Sequence, residues 1–139
     1  MRAVADTNTV VSGLLWYGAP RTFLDTARAG AISLYTSGAL LAELADVLPR
    51  AKLAKRVAAS GMSVKELARR YALLAQRITP AEIDPVVLAD ADDDAVIACA
   101  LAARADLIVS GDKRVRNLKT YHGIRIVGVN EALALIAKP

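Results

Sequence analysis

Short apolar runs that alternate with helical stretches constrain the fold of this chain more than any other feature of its sequence. Four of these runs contain three or four residues each: residues 3–5, 32–35, 107–109 and 124–127. Short runs of mostly apolar residues are typical of strands buried on both faces, which occur in parallel sheets covered by helices. The sequence therefore predicts one α/β domain over residues 1–139, with a parallel sheet between layers of helices.

Helical patterns fill the intervals between these runs, and local signals mark several helix ends. The pattern predicts helices over residues 39–48, up to about 59, 64–78, from about 92 to 104, and 131–137. Pro49 ends the first of these helices. Ser63 and Glu66 have the spacing of a capping box, in which each side chain accepts from a backbone N–H at the start of the third helix. Directly after Asp6 the sequence predicts a turn.

Composition limits the chemistry that this chain can perform. It has one cysteine, Cys99, and one histidine, His122, which excludes an internal disulfide, a cysteine-rich zinc site and the two-histidine metal motifs. If the protein is an enzyme, carboxylates are therefore its titrating groups.

No apolar run approaches the roughly 20 residues of a membrane span, and Asp6 and Asn8 interrupt the stretch in which a signal peptide would be apolar. We expect a soluble cytoplasmic domain.

Charge is distributed unevenly along the chain. The net charge is +4, from 18 Lys and Arg against 14 Asp and Glu. Residues 50–77 contain eight basic residues and one acid, whereas residues 82–94 contain six acids and no base. An acidic cluster beside a basic one fits the metal-dependent cleavage of a polyanion. Two solvated faces of opposite charge are the alternative interpretation.

Two acids follow apolar runs at the places where an open α/β sheet binds ligands. Asp6 comes directly after the first run, and Asp112 comes shortly after the third. The carboxyl ends of parallel strands meet at one sheet edge, and ligands bind beyond that edge where the strand order reverses. An aspartate that merely begins a turn is equally consistent with either position.

Further acids lie on the predicted helices. Glu43 borders the apolar face of the helix over 39–48, although the helix dipole can also stabilise an acid there. Four aspartates, at positions 90 and 92–94, precede the alanine-rich helix, and capping that helix requires only one of them. Asp93 and Asp94 both share a helix face with apolar residues, so periodicity does not choose between them.

Convergence of four such acids would require a cation. Two carboxylates about 5 Å apart repel by roughly 3 kcal/mol at an effective dielectric constant of about 20, and several such pairs are untenable without a counter-ion or large pKa shifts. Oxygen ligands without histidine or cysteine suit Mg²⁺ or Mn²⁺. Such a site can activate water and neutralise charge on a phosphodiester.

The ordered set of these motifs resembles the PIN-domain family and, more narrowly, the VapC-like toxin components of toxin–antitoxin pairs. The motifs are Asp6-Thr7-Asn8, Glu43, Asp94-Ala95-Val96-Ile97-Ala98 and Val109-Ser110-Gly111-Asp112-Lys113. The resemblance extends over nearly the whole chain, from Met1 to about Ile136. It implies a three-layer α/β/α sandwich with a central parallel sheet, Mg²⁺- or Mn²⁺-dependent endoribonuclease activity, homodimers and inhibition by a cognate antitoxin protein.

The resemblance also implies roles for individual residues. It makes Asp6, Glu43 and Asp94 the core catalytic metal ligands, in preference to Asp93, and Asp112 a fourth, more variable ligand. Asn8 and Ser110 match polar positions that orient carboxylates or water. The chain departs from many relatives after the last motif, where Lys113-Arg114 replaces a further acid.

Positive charge near that last motif predicts where RNA phosphates would bind. The candidate phosphate contacts are Lys113, Arg114, Arg116 and Lys119, with Arg21 beyond them. Trp16 and Tyr17 fit either stacking on a base or packing in the core.

Two other functions remain open from the sequence. A haloacid-dehalogenase-type phosphatase would use Asp6 as its nucleophile, but the acid required two residues later is Asn8, which cannot protonate a leaving group. A non-catalytic PIN-like binding module is the other alternative. In such a module the acids would hold a structural cation or cap helices.

Overall fold

A computed structural model describes residues 1–83 and 91–138 of this chain. Residues 91–93 are described by their backbone only. The strands in these ranges are β1 (Arg2–Ala5), β2 (Ser33–Thr36), β3 (Gln76–Arg77), β4 (Leu107–Val109), β5 (Thr120–Tyr121) and β6 (Ile124–Val127). The helices are α1 (Thr7–Leu15), α2 (Ala19–Arg28), α3 (Gly38–Val47), α4 (Ala54–Ala59), α5 (Val64–Leu74), α6 (Ala91–Ala103), α7 (Lys113–Arg116) and α8 (Val129–Ala137). A 3₁₀ turn over Ala51–Leu53 precedes α4.

The strands form one sheet in the order β3-β2-β1-β4-β6-β5. All neighbours are parallel except β5 and β6, which are antiparallel. From β1, the chain first adds β2 and β3 on one side and then returns to add β4, β6 and β5 on the other side. The strand order therefore reverses between β1 and β4. Ligand sites in open α/β sheets occur at the carboxyl end of such a reversal.

Side chains of the central strands alternate between two buried clusters, one on each face of the sheet. Val4 and Ile108 belong to the cluster that includes apolar residues of α6 and α7. Ala5 and Val109 belong to the other cluster, which includes residues of α1, α2, α5 and α8. Both faces of the sheet are therefore covered by helices, and the predicted three-layer α/β/α sandwich is confirmed. The antiparallel β5 at one edge is the exception to the predicted parallel sheet.

The antiparallel edge strand follows from local backbone geometry. His122 and Gly123 connect β5 to β6 and have positive φ angles of 48° and 81°. A two-residue loop with positive φ at both positions matches the twist of the strands that it joins. Gly123 accommodates this conformation without strain because it has no Cβ.

Several predicted elements agree with the structure. The strands over Leu107–Val109 and Ile124–Val127 are confirmed, and so is the capping box at the start of α5. The helix predicted over 39–48 lies one residue earlier, at Gly38–Val47. The final helix begins at Val129 rather than 131.

The turn predicted after Asp6 is wrong, because α1 begins there at once. The Oδ1 atom of Asp6 accepts from the backbone N–H of Thr9 at 2.8 Å and caps the helix. Gly13 allows α1 and α2 to pack closely, since a Cβ at this position would lie 2.6 Å from the Leu24 side chain. Neither helix was predicted.

The helix predicted over 64–78 is also too long, because α5 ends at Leu74 and β3 follows. The backbone N–H of Ile78 then donates to Thr36 O at 2.8 Å, which keeps this segment beside β2. Among the described residues, no helix is long and apolar enough to cross a membrane.

Candidate active site

Asp6 lies at the reversal point of the sheet, immediately after β1. Its backbone N–H donates to Val109 O at 3.0 Å, which ties the carboxyl end of β1 to that of β4. The residue is only 7% exposed. Its Oδ1 accepts from Thr9, and its Oδ2 accepts from Ser110 Oγ at 2.6 Å and from the Gly111 backbone N–H at 3.2 Å. Donors from two segments therefore hold a buried carboxylate in one orientation.

Ser110 connects Asp6 to the loop after β4. It is fully buried, and its Oγ accepts from the backbone N–H of Asp112 at 3.0 Å while it donates to Asp6. A hydroxyl can do both because it has one donor and two acceptor positions. Ser110 thus contacts one of the carboxylates that it is predicted to orient. Asn8, the other predicted orienting residue, is exposed on the first turn of α1.

The Asp112 carboxylate makes its contacts with Arg114, unlike that of Asp6. It caps α7, and Oδ1 accepts from the Arg114 backbone N–H at 2.8 Å. The Arg114 Nη2 atom is 3.0 Å from Oδ2. The hydrogen bonds from the Arg114 side chain and backbone, with its charge, hold the pKa of the Asp112 carboxyl below its usual value. The carboxylate that was predicted as a fourth metal ligand is thus paired with an arginine.

Glu43 and Asp94 are half-buried on two helices that pack together. Leu40, one turn before Glu43 on α3, belongs to the same buried cluster as Ile97, which lies one turn after Asp94 on α6. α6 also packs against β1 and β4. The fold thus places these two acids on elements that neighbour Asp6.

The carboxylates whose side chains are described do not form a closed metal cage. Among the side chains that the structure describes, no group of three or more Asp, Glu, His or Cys is arranged to hold a metal ion. The donor chemistry nevertheless fits Mg²⁺ or Mn²⁺, because the acids supply hard oxygen ligands. Asp6 also retains acceptor capacity, because within the described residues its Oδ1 atom accepts one hydrogen bond, from Thr9. The alternatives at Asp93 and at the preceding aspartates lie outside the described side chains.

A cleft of about 440 Å³ borders this edge of the sheet beside Ser110. Its lining includes Asn8, Arg116 and Asn130, together with the first residues of α8. The N-cap of α8, Gly128, supplies no side-chain cap. The Arg116 Nε atom is buried and makes no hydrogen bond within the described part of the protein. Glu131 also lines the cleft, but it is paired with Arg125 at 3.0 Å. A positive side chain beside a helix N-terminus therefore favours an anion in this cleft.

The other predicted phosphate contacts lie outside the lining of this cleft. Lys113 and Lys119 are exposed on or just after α7. Arg114 pairs with Asp112, as described above. Arg21 lies beyond the far end of α1, where its guanidinium is 4.3 Å from the centre of the Tyr17 ring. Of these candidates, Arg116 alone lines the cleft.

Tyr71 is a polar residue near the site that the sequence did not indicate. It is 3% exposed on α5, and its hydroxyl makes no hydrogen bond within the described residues. Burial raises the pKa of this hydroxyl well above its usual value, and nearby Cys99 and Asp6 raise it further. Its helical spacing is that of a core residue, so nothing in the sequence distinguishes this hydroxyl.

Comparison with known proteins identifies the family of this chain. A sequence model described as the PIN domain matches residues 2–114, which include β1, β2, β4 and the four candidate acids. A search of curated proteins found no match.

Proposed function

We propose, since this chain belongs to the PIN domain family, that it is a cytoplasmic Mg²⁺- or Mn²⁺-dependent endoribonuclease and the toxin of a toxin–antitoxin pair. PIN domains are typically nucleases and generally use divalent metal ions. The observation that carries the proposal is the buried carboxylate of Asp6 at the strand reversal, held by Ser110 and Gly111. Open α/β sheets bind their ligands at this position.

Asp6, Glu43 and Asp94 would hold the cation. When bound, a divalent cation polarises water and neutralises charge on the phosphodiester. Ser110 fixes the Asp6 carboxylate by donating to Oδ2, so this ligand is oriented before any ion arrives. Glu43 and Asp94 would move their side chains toward Asp6, because the described acids do not form a cage as they stand. Asp112 would join as the fourth, more variable ligand only after it leaves Arg114.

Arg116 would bind a phosphate of the RNA in the cleft beside Ser110. The Arg116 side chain lines this cleft, and the start of α8 has no side-chain cap, so both favour an anion there. Lys113 and Lys119 would add long-range attraction to the polyanion from the exposed surface. RNA affinity would therefore fall steeply as salt rises.

We also propose that the protein forms a homodimer and is inhibited by a cognate antitoxin protein. Both points rest on the resemblance to the VapC-like toxins. On α5, Leu67 and Tyr71 are buried, and Leu73 is 77% exposed on the outer side of the helix. Interfaces are marked by larger contiguous apolar patches, so one exposed leucine does not place either partner on this helix.

A non-catalytic PIN-like module remains the second candidate, because the described acids form no cage. Family membership argues against the haloacid-dehalogenase alternative, whose leaving-group acid would have to be Asn8.

The test is cleavage of a mixed RNA pool by purified protein in Mg²⁺, in Mn²⁺ and in EDTA. We expect metal-dependent cleavage that Glu43→Gln and Asp94→Asn abolish. Asp46→Asn is the matched control, because Asp46 is an exposed acid on the same helix as Glu43. Calorimetric Mn²⁺ binding without cleavage would favour the non-catalytic module, and cleavage that persists in EDTA would contradict the proposal.

A further inference from the structure

A second concave surface lies at the other end of α1 from Asp6. This groove has a volume of about 710 Å³ and is bordered by the end of α1, by α2 and by α4 and α5. Its charged lining consists of four arginines and one aspartate: Arg21, Arg28, Arg56, Arg70 and Asp25. Asp25 already pairs with Arg28, at 2.6 Å. Cations collected around one concavity raise the local concentration of anions, so we name this surface the arginine groove.

Two aromatic rings accompany the arginines. The Arg21 guanidinium is 4.3 Å from the centre of the Tyr17 ring, and the Arg56 guanidinium is 5.0 Å from the centre of the Trp16 ring. Arg21 also donates from Nη2 to Leu14 O at 3.1 Å, which anchors it to the end of α1. Tyr17 is nevertheless 88% exposed, so most of its ring surface faces solvent.

An exposed aromatic ring beside several arginines is suited to nucleotides, because a base can stack on the ring while phosphates pair with the guanidinium groups. We propose that the arginine groove binds single-stranded RNA, with a base on Tyr17 and phosphates against Arg56 and Arg70. The volume of the groove lies within the roughly 300–1,000 Å³ range of small-ligand sites, which suits one or a few nucleotides. An acidic peptide would gain from the arginines as well, but its carboxylates gain little from an exposed ring.

This inference rests on the proposed function in one respect, since the bound strand would be the one cleaved at Asp6. α1 has nine residues and therefore spans about 14 Å between the two sites. RNA long enough to reach both ends of α1 would be held twice. The second contact raises the affinity for long strands through its high effective concentration and leaves short ones unaffected.

The test is fluorescence anisotropy of a labelled single-stranded RNA of twelve nucleotides with the 139-residue chain. The measurement is made in EDTA, which separates binding from cleavage. We expect Tyr17→Ala and Arg70→Gln each to raise the Kd by roughly five- to tenfold, as stacking and phosphate contacts do elsewhere. Tyr17→Phe keeps the ring and should bind within about twofold of the unmodified protein. Arg69→Gln is the matched control, because Arg69 is the exposed neighbour of Arg70 on α5 and does not line the groove.

Three results would overturn the inference. The first is an unchanged Kd for Tyr17→Ala. The second is equal affinity for the same sequence as a duplex, whose paired bases cannot stack on a ring. The third is displacement of the RNA by poly-glutamate with a dependence on Arg70 and none on Tyr17, which would assign the groove to an acidic protein partner. Absence of RNA cleavage would contradict only the proposed function, because binding in EDTA does not depend on it.

Discussion

The carboxylates of Asp6 and Asp112 lie at neighbouring strand ends of one sheet edge, and they are held in different ways. Asp6 is buried and accepts hydrogen bonds from the uncharged donors of Thr9, Ser110 and Gly111. Asp112 is a quarter exposed and is paired with the guanidinium of Arg114. The hydrogen bonds orient Asp6 without neutralising its charge, whereas Arg114 compensates the charge of Asp112. We therefore expect a cation to gain more from Asp6 than from Asp112.

Among the variants of Asp6, Asp112 and the residues that contact them, Asp6→Asn should reduce cleavage most. We expect cleavage to fall by at least about 100-fold, because loss of a ligand should exceed the roughly 10–100-fold cost of losing a group that orients one. Calorimetry should show weaker Mn²⁺ binding, and circular dichroism should show a retained fold. Asp46→Asn is again the control. Cleavage at the normal rate by Asp6→Asn would remove the distinction between the two carboxylates.

Ser110→Ala sharpens the comparison, because it removes the hydroxyl that links the two aspartates. We expect activity or Mn²⁺ affinity to fall by about 10- to 100-fold, as for other groups that orient a metal ligand. Ser37→Ala is the matched control. Ser37 is also fully buried directly after a strand, but its hydroxyl accepts from Leu40 and caps α3 instead. Equal losses of activity in the two variants would assign Ser110 a purely structural role.

Asp112→Asn should have a smaller effect on cleavage, of about tenfold or less, because Arg114 competes for this carboxylate. Arg114→Gln is the companion variant. If Asp112 contributes to cation binding, its release from Arg114 should tighten Mn²⁺ binding while Asp112→Asn weakens it. A change in the same direction in both variants would exclude this competition.

The smallest expected effect is on stability against pH. The folded-state pKa of Asp112 is lowered, so its pairing stabilises the fold above the unfolded-state pKa of about 3.9 and is lost as pH falls through the folded value. Exposure limits the contribution to less than about 1 kcal/mol. Thermal unfolding should show a difference between the unmodified protein and Asp112→Asn at pH 7 that shrinks below about pH 4. A difference that grows on acidification would contradict the direction of this shift.

Elements whose signals are local could be predicted from the sequence. The strand over Leu107–Val109 is a continuous apolar run, and the cap of α5 depends on two residues three positions apart. α1 was missed because Val10, Val11 and Gly13 are poor helix formers. Its stability comes from the Asp6 cap and from packing against α2, which no local pattern reveals.

The candidate site was predictable only in part. Asp6 and Ser110 follow strands, and parallel topology brings strand ends together, so their proximity could be expected. The pairing of Asp112 with Arg114 depends on the side-chain orientations at the start of a four-residue helix. The position of the Tyr71 hydroxyl near Asp6 depends on how α5 docks. Neither has a signature in residue type or spacing.

The two margins of the sheet have a consequence for behaviour at high concentration. Within residues 1–83 and 91–138, β3 and β5 are the outermost strands, and each contains two residues. A long unpaired strand offers a row of backbone donors and acceptors on which other molecules can add, and this is how ordered aggregates grow. Here each margin provides too short a row for such growth. Any self-association of the folded protein should therefore proceed through its helices and leave the cross-β pathway closed.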